Sequence, residues 1–186
     1  MEVNPKLLAY LEEEVGKNPS KKKSFDTILK SIRDAGLEGT IIRVRGDGNC
    51  LIRALLVDLV AKAKSITGNL LAELCLQNGA EIIVDFDAEK ICVLVRDLVS
   101  RLWAYKGGPE YHMNENAIDG LAVNMVMRLL GVTKLRIYQA FDGTDRKAGW
   151  RDIELDPKME PLFTQDTKGV TAHIFTLDGR HYNGIL

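Results

Sequence analysis

The chain has 186 residues, one ordinary domain's worth and enough to bury a real core, and its 46% hydrophobic and 27% charged residues are those of a folded, soluble protein. Lysine plus arginine number 25 and aspartate plus glutamate 26, a net charge of −1 with no excess for phosphates or anionic lipid, so nucleic-acid binders of the usual basic kind and membrane-surface proteins are disfavoured. Three cysteines cannot build a disulfide framework and the first twenty residues are acidic where a secretion signal would be basic, which places the chain in a reducing, cytoplasmic compartment.

Asn4 and Pro5 supply a cap and a first-turn residue for a short amphipathic helix through Leu7, Leu8, Leu11 and Val15, stopped by Gly16. Gly16 to Lys23, ending in three lysines, reads as a solvated linker, after which Ser24 caps a second helix carrying Phe25, Ile28, Leu29 and Ile32 up to Gly36. Residues 1–40 are therefore expected as an N-terminal helical extension to a main domain over 41–186. Thr40 to Val44 is β-branched and extended, Gly46 to Asn49 break it, and an apolar helical run starts at Cys50. Further helices are expected at Asn69–Asn78, Asp87–Tyr105 and Asn116–Leu130, the last closing at Gly131. Lys134 to Ala140 alternates, FDGTDRKAG supplies turn residues, and WRDIEL reads as a partner strand.

In the final segment, Asp178-Gly179 is the dipeptide that favours a two-residue type I′ hairpin. Counting outward pairs Thr176 with His181, Phe175 with Tyr182, Ile174 with Asn183 and His173 with Gly184. That register puts His181 and Asn183 on one face and His173 on the other.

A cysteine nucleophile works as its thiolate, which helix N-termini and neighbouring imidazolium groups favour. Cys50 stands where the Gly46–Asn49 loop turns into the LIRALLVDLV helix, so the free amides of that turn face it and could also hold an oxyanion. Gly46 and Gly48 widen the backbone's choices, while Asp47 and Asn49 can bond loop amides. The bland alternative is an Asp-Gly turn followed by a buried cysteine. Cys75 and Cys92 lie within apolar helical patterns and are expected in the core. His112, His173 and His181 make no metal-ligand spacing with the cysteines, so no metal and no cofactor is expected. A strand histidine, His181, followed two residues on by an amide, Asn183, that could fix its tautomer completes a catalytic constellation with Cys50.

Gly46-Asp47-Gly48-Asn49-Cys50-Leu51-Ile52-Arg53-Ala54-Leu55 resembles the nucleophile motif of the ovarian tumour (OTU) family of cysteine proteases, and His181-Tyr182-Asn183 is similar to its closing histidine motif. The resemblance spans roughly Arg43 to Leu186. It implies an α/β (α+β) cysteine protease fold, a small, mostly antiparallel β-sheet packed between helices, and a deubiquitinase that cleaves after the C-terminal glycine of ubiquitin or a ubiquitin-like modifier. By the same resemblance Cys50 is the nucleophile, His181 the general base, Asn183 its orienting residue, and Asp47 the support of an oxyanion hole formed by backbone amides of Asp47, Gly48, Asn49 and Cys50. The implied partners are ubiquitin or a ubiquitin-like modifier and its conjugates, without nucleic acid or membrane, and a monomer is favoured. Ile52 stands where the family usually has an aromatic, Gly184 where it has a small polar residue, and MNEN where a tryptophan-glycine pair precedes the middle helix. Two other readings are a non-catalytic ubiquitin-binding module, whose mark would be loss of the cysteine or histidine, and a cysteine protease that processes its own precursor.

Overall fold

The computed structural model describes residues 16–46, 48–59, 88–105, 120–156 and 170–186, with side-chain detail at 91–100 and from 123 onward in the two middle helices. The expected helices before Gly16 and at 69–78, together with Cys75 and His112, lie outside the described residues. Helix α1 runs Pro19–Asp34. Asn18 caps it, its side-chain oxygen accepting the Ser20 N–H (3.1 Å) and the Lys21 N–H (3.4 Å), and Pro19 fills the first turn, where a missing N–H costs nothing. The helix therefore begins five residues before the expected Ser24 cap, and the three lysines are helical rather than linker. Ser24 instead sends its hydroxyl to the Ala140 carbonyl.

Strand β1 is the short Ile41–Ile42 pair, and helix α2 occupies 50–59. Helices α3 (Ala88–Tyr105) and α4 (Gly120–Leu129) fall close to their expected positions, α4 giving way to Gly131 at φ +70°. Strands β2 (Val132–Gln139), β3 (Gly149–Glu154), β4 (Val170–Thr176) and β5 (Tyr182–Ile185) join β1 in one five-stranded sheet of order β1-β5-β4-β2-β3. The β2–β4 pairing is parallel and the other three are antiparallel. This is a mixed α+β fold with a mostly antiparallel sheet.

Strand alternation divides the sheet into two buried faces. Tyr138, Phe175, Ile41 and Ile185 point to one side and form a core with Phe25, Ile28 and Ile32 of α1. Leu135, Ile137, Ala172 and Ile174 point to the other and meet Leu51, Leu55, Ile91, Val95, Val126 and Leu129 of helices α2, α3 and α4. Helix α1, part of the segment expected as an extension, thus shares a core with the sheet.

The expected register of the last hairpin is corrected by one residue. Ile174 lies opposite Gly184, Phe175 opposite Asn183 and Thr176 opposite Tyr182, so five residues, 177–181, separate the strands and His181 precedes β5. A type I′ turn needs positive φ at both central residues, but only Gly179 (φ +91°) has it. Asp178 instead accepts the Arg180 N–H through its carboxylate (3.2 Å), and the Thr176 hydroxyl accepts the Gly179 N–H (2.8 Å), side-chain bonds that build a wider loop. His173 consequently falls on the same face as Phe175 and Asn183, not on the opposite one. There it stacks on Tyr138 and shares a 3.2 Å hydrogen bond with the tyrosine hydroxyl, while the buried Asp58 carboxylate accepts its backbone N–H.

Candidate active site

Cys50 is the first residue of α2. The Asn49 carbonyl accepts the Arg53 N–H (3.1 Å), which makes Asn49 the cap and leaves the first-turn amides, including that of Cys50, outside the helical ladder. Just ahead, Gly48 sits at φ +86°, a conformation that glycine adopts without a side-chain clash. The thiol-bearing residue is 6% exposed and packs with Ile42, Val44 and Val57. Cys92 is fully buried in the larger core, as expected of a packing residue.

His181 comes to this loop from the other end of the chain. Its Nε2–H donates to the Val44 carbonyl at 3.0 Å, which in the neutral ring leaves the lone pair on Nδ1. The Nδ1 edge lies against Gly46, where a Cβ would stand 3.5 Å from both Nδ1 and Cε1. The imidazole is therefore held by residue 44 and faces residue 46, four positions before the cysteine.

Asn183 is 2% exposed, and its Oδ1 accepts the Val44 N–H at 3.4 Å. The direct amide-to-imidazole contact anticipated for it is replaced by a relay in which Asn183 fixes the Val44 backbone and the Val44 carbonyl fixes His181. The register explains the change, because His181 lies in the loop rather than two strand positions before Asn183 in the ladder. Asp47 lies outside the described residues, and so does its amide; those of Gly48, Asn49 and Cys50 remain as candidate oxyanion donors.

Two participants escaped sequence reasoning. The Val44 carbonyl is a backbone atom, which leaves no trace in residue type. Arg96 of α3 is 1% exposed and sends Nη1 to the Gly48 carbonyl at 3.4 Å. It had a legible signal, a charged residue at helical spacing from the buried Cys92 and Val99. Gly184, already noted as a departure from the family pattern, lies against α2: a Cβ on it would stand 2.5 Å from the Val57 side chain, so β5 and α2 touch with no room for a small polar residue there.

A cavity of about 390 Å³ opens beside the site, lined by Leu51 and Tyr182, the chain neighbours of Cys50 and His181, and by Arg146, Arg151 and Arg180. Burial, and then the like charge of Arg146, pushes the Arg151 guanidinium below its ordinary value, and Asp145 and Asp178 also line the cavity, so it presents charge of both signs.

No family model matches the chain, and no curated protein matches it. Among solved structures it is similar to the OTU domain of OTUD1, with 13% identity and a TM-score of 0.41 over 90% of this chain and 97% of that one.

Proposed function

We propose that this chain is a cysteine-type deubiquitinase, hydrolysing the isopeptide bond after the C-terminal glycine of ubiquitin or a ubiquitin-like modifier. The observation that carries the reading is the imidazole of His181, pinned through Nε2 to Val44 with its Nδ1 edge on the loop that delivers Cys50 to a helix N-terminus. The likeness of residues 46–55 and 181–183 to the OTU motifs supplies the substrate class.

In this mechanism Nδ1 of His181 takes the Cys50 proton and the sulfur attacks the glycine carbonyl. Amides at the start of α2 stabilise the resulting oxyanion. Collapse breaks the C–N bond, and the proton on His181 passes to the leaving lysine amine. Water, deprotonated by the same imidazole, then hydrolyses the thioester and restores the thiol. Asn183 and the Val44 carbonyl act through His181, holding the ring in the tautomer the reaction uses.

The test is incubation with ubiquitin carrying a C-terminal electrophile, read by intact mass beside Cys50→Ala and His181→Ala. One adduct is expected, absent in Cys50→Ala and slowed in His181→Ala. Folded wild-type protein that stays unlabelled by ubiquitin and by probes made from ubiquitin-like modifiers would sink the assignment.

A further inference from the structure

The cavity of about 390 Å³ beside Cys50 and His181 has the size of a ligand pocket, and its charged side chains are unevenly paired. Asp178 is committed to Arg180, meeting its Nε at 3.5 Å and its backbone N–H at 3.2 Å. Asp145 is exposed, and among the described residues no carboxylate forms an ion pair with Arg146 or Arg151. Arg151 is half-buried: its Nη1 reaches Gln139 Oε1 at 3.5 Å, the Tyr182 hydroxyl is its other polar neighbour, and its Nε is buried without a partner. After burial itself, the nearest charge bearing on it is the like charge of Arg146. A guanidinium so placed costs free energy until an anion meets it. We propose that this cavity is a subsite for a carboxylate, held by Arg151 together with Arg146, and that the carboxylate is an acidic side chain flanking the lysine to which the modifier is joined; this rests on the catalytic reading above.

The guanidinium is held in place before any ligand arrives. Gln139 is 1% exposed, and its side-chain amide donates to the Phe141 carbonyl (2.8 Å) and the Arg146 carbonyl (3.0 Å), which turns Oε1 toward Arg151. The register of β2 with β3 sets Arg151 opposite Ile137, on the sheet face that packs against α2. Leu51 and Tyr182, the chain neighbours of Cys50 and His181, line the same cavity, so an occupant lies next to the scissile bond. On the modifier's side that bond follows a glycine, which has no side chain to enter. A side chain in the cavity therefore comes from the acceptor, within a few residues of its lysine. An acidic one offers two oxygens to the guanidinium, whereas a basic one meets Arg146 and Arg151 with like charge and is disfavoured.

The test joins ubiquitin through its C-terminal glycine to the lysine of acetyl-Glu-Glu-Lys-Glu-Glu-amide, or of the counterpart with glutamine at every glutamate, and takes the ratio of kcat/KM on the two. Ubiquitin with a C-terminal aminomethylcoumarin, which carries no acceptor peptide, reports catalysis itself in wild type. Wild type is expected to prefer the glutamate peptide by about tenfold, less as salt is added, and Arg151→Met to bring the ratio within about twofold of one. An arginine with a purely structural role would lower both rates and leave the ratio alone, which overturns the proposal, as do equal wild-type rates on the two peptides. If Arg151→Met does not fold, Arg146→Gln, a change at an exposed side chain, carries the comparison: the ratio is expected to fall about threefold, and an unchanged ratio refutes the subsite. Should wild type leave the coumarin substrate intact, the catalytic reading fails. The Nε–Hε resonance of Arg151, followed while the two free peptides are titrated in, then decides the subsite. Movement with the glutamate peptide alone supports a carboxylate site, and no movement, or equal movement with both, refutes it.

Discussion

Gly184 and Val57 mark the point where sheet and helix touch most closely, and the contact is tight enough to predict its failure. Gly184→Ala places a methyl 2.5 Å from Val57, which should cost about 1–3 kcal/mol in urea unfolding as an overpacked core does. Adding Val57→Ala should recover part of that loss, whereas two independent defects would simply add. Asn183→Ala strips the buried Val44 N–H of its acceptor, for which about 1–3 kcal/mol is the ordinary penalty. Turnover should fall as well, with most of the change in kcat, because the carbonyl that holds His181 belongs to the same residue; assays of the folded variant on the coumarin substrate check this. Cys50 and His181 could be picked out as candidates because their side chains stand in compact local motifs. The contact Asn183 makes could not, since it runs to the Val44 backbone through a register that one residue decides.

Secondary elements were easier to read where periodicity and punctuation agreed, as in Asp87–Tyr105 against the observed Ala88–Tyr105. They were harder where a local signal competed. The lysine run at 21–23 looked like linker, yet Asn18 and Pro19 had already started the helix, and the solvated face of α1 accepts any number of charges. Strand β3 shows how cross-strand pairs confirm a register: Arg136 lies opposite Asp152 and binds it with two hydrogen bonds of 2.7 and 2.9 Å, while its guanidinium covers Trp150. Those bonds hold the Asp152 carboxyl below the usual carboxylate range and raise Arg136 above its own. A depressed folded-state value means the pair stabilises the fold above the unfolded carboxyl's pKa of about 4 and ceases to do so as pH falls through the folded-state value. Asp152→Asn should therefore cost about 0.5–1 kcal/mol at pH 7, and the difference should shrink toward zero in acid; urea titrations at the two pH values check it.

At the scale of the molecule, the sheet is closed by its ends. Strand β5 lies between β1 and β4, so Ile185 pairs with Ile41 across nearly the whole chain, and His181 meets Val44 by the same closure. Among the described residues most of the extended and helical stretches were legible, but not this order, because alternation along a strand says which side is buried and nothing about its neighbour. Contacts of such separation form late and slowly. Reactivity toward the ubiquitin probe should then return after dilution from denaturant in step with the far-UV circular dichroism, with no early reactive phase.

That coupling has a bearing on safety. The cysteine follows β1 and the histidine precedes β5, neighbouring strands at one edge of the sheet, so the two residues come together only when β1 and β5 have zipped up. Under the proposed function, a half-folded copy holds a thiol but no catalyst, so a newly made or damaged molecule would spare the conjugates around it until β1 and β5 pair.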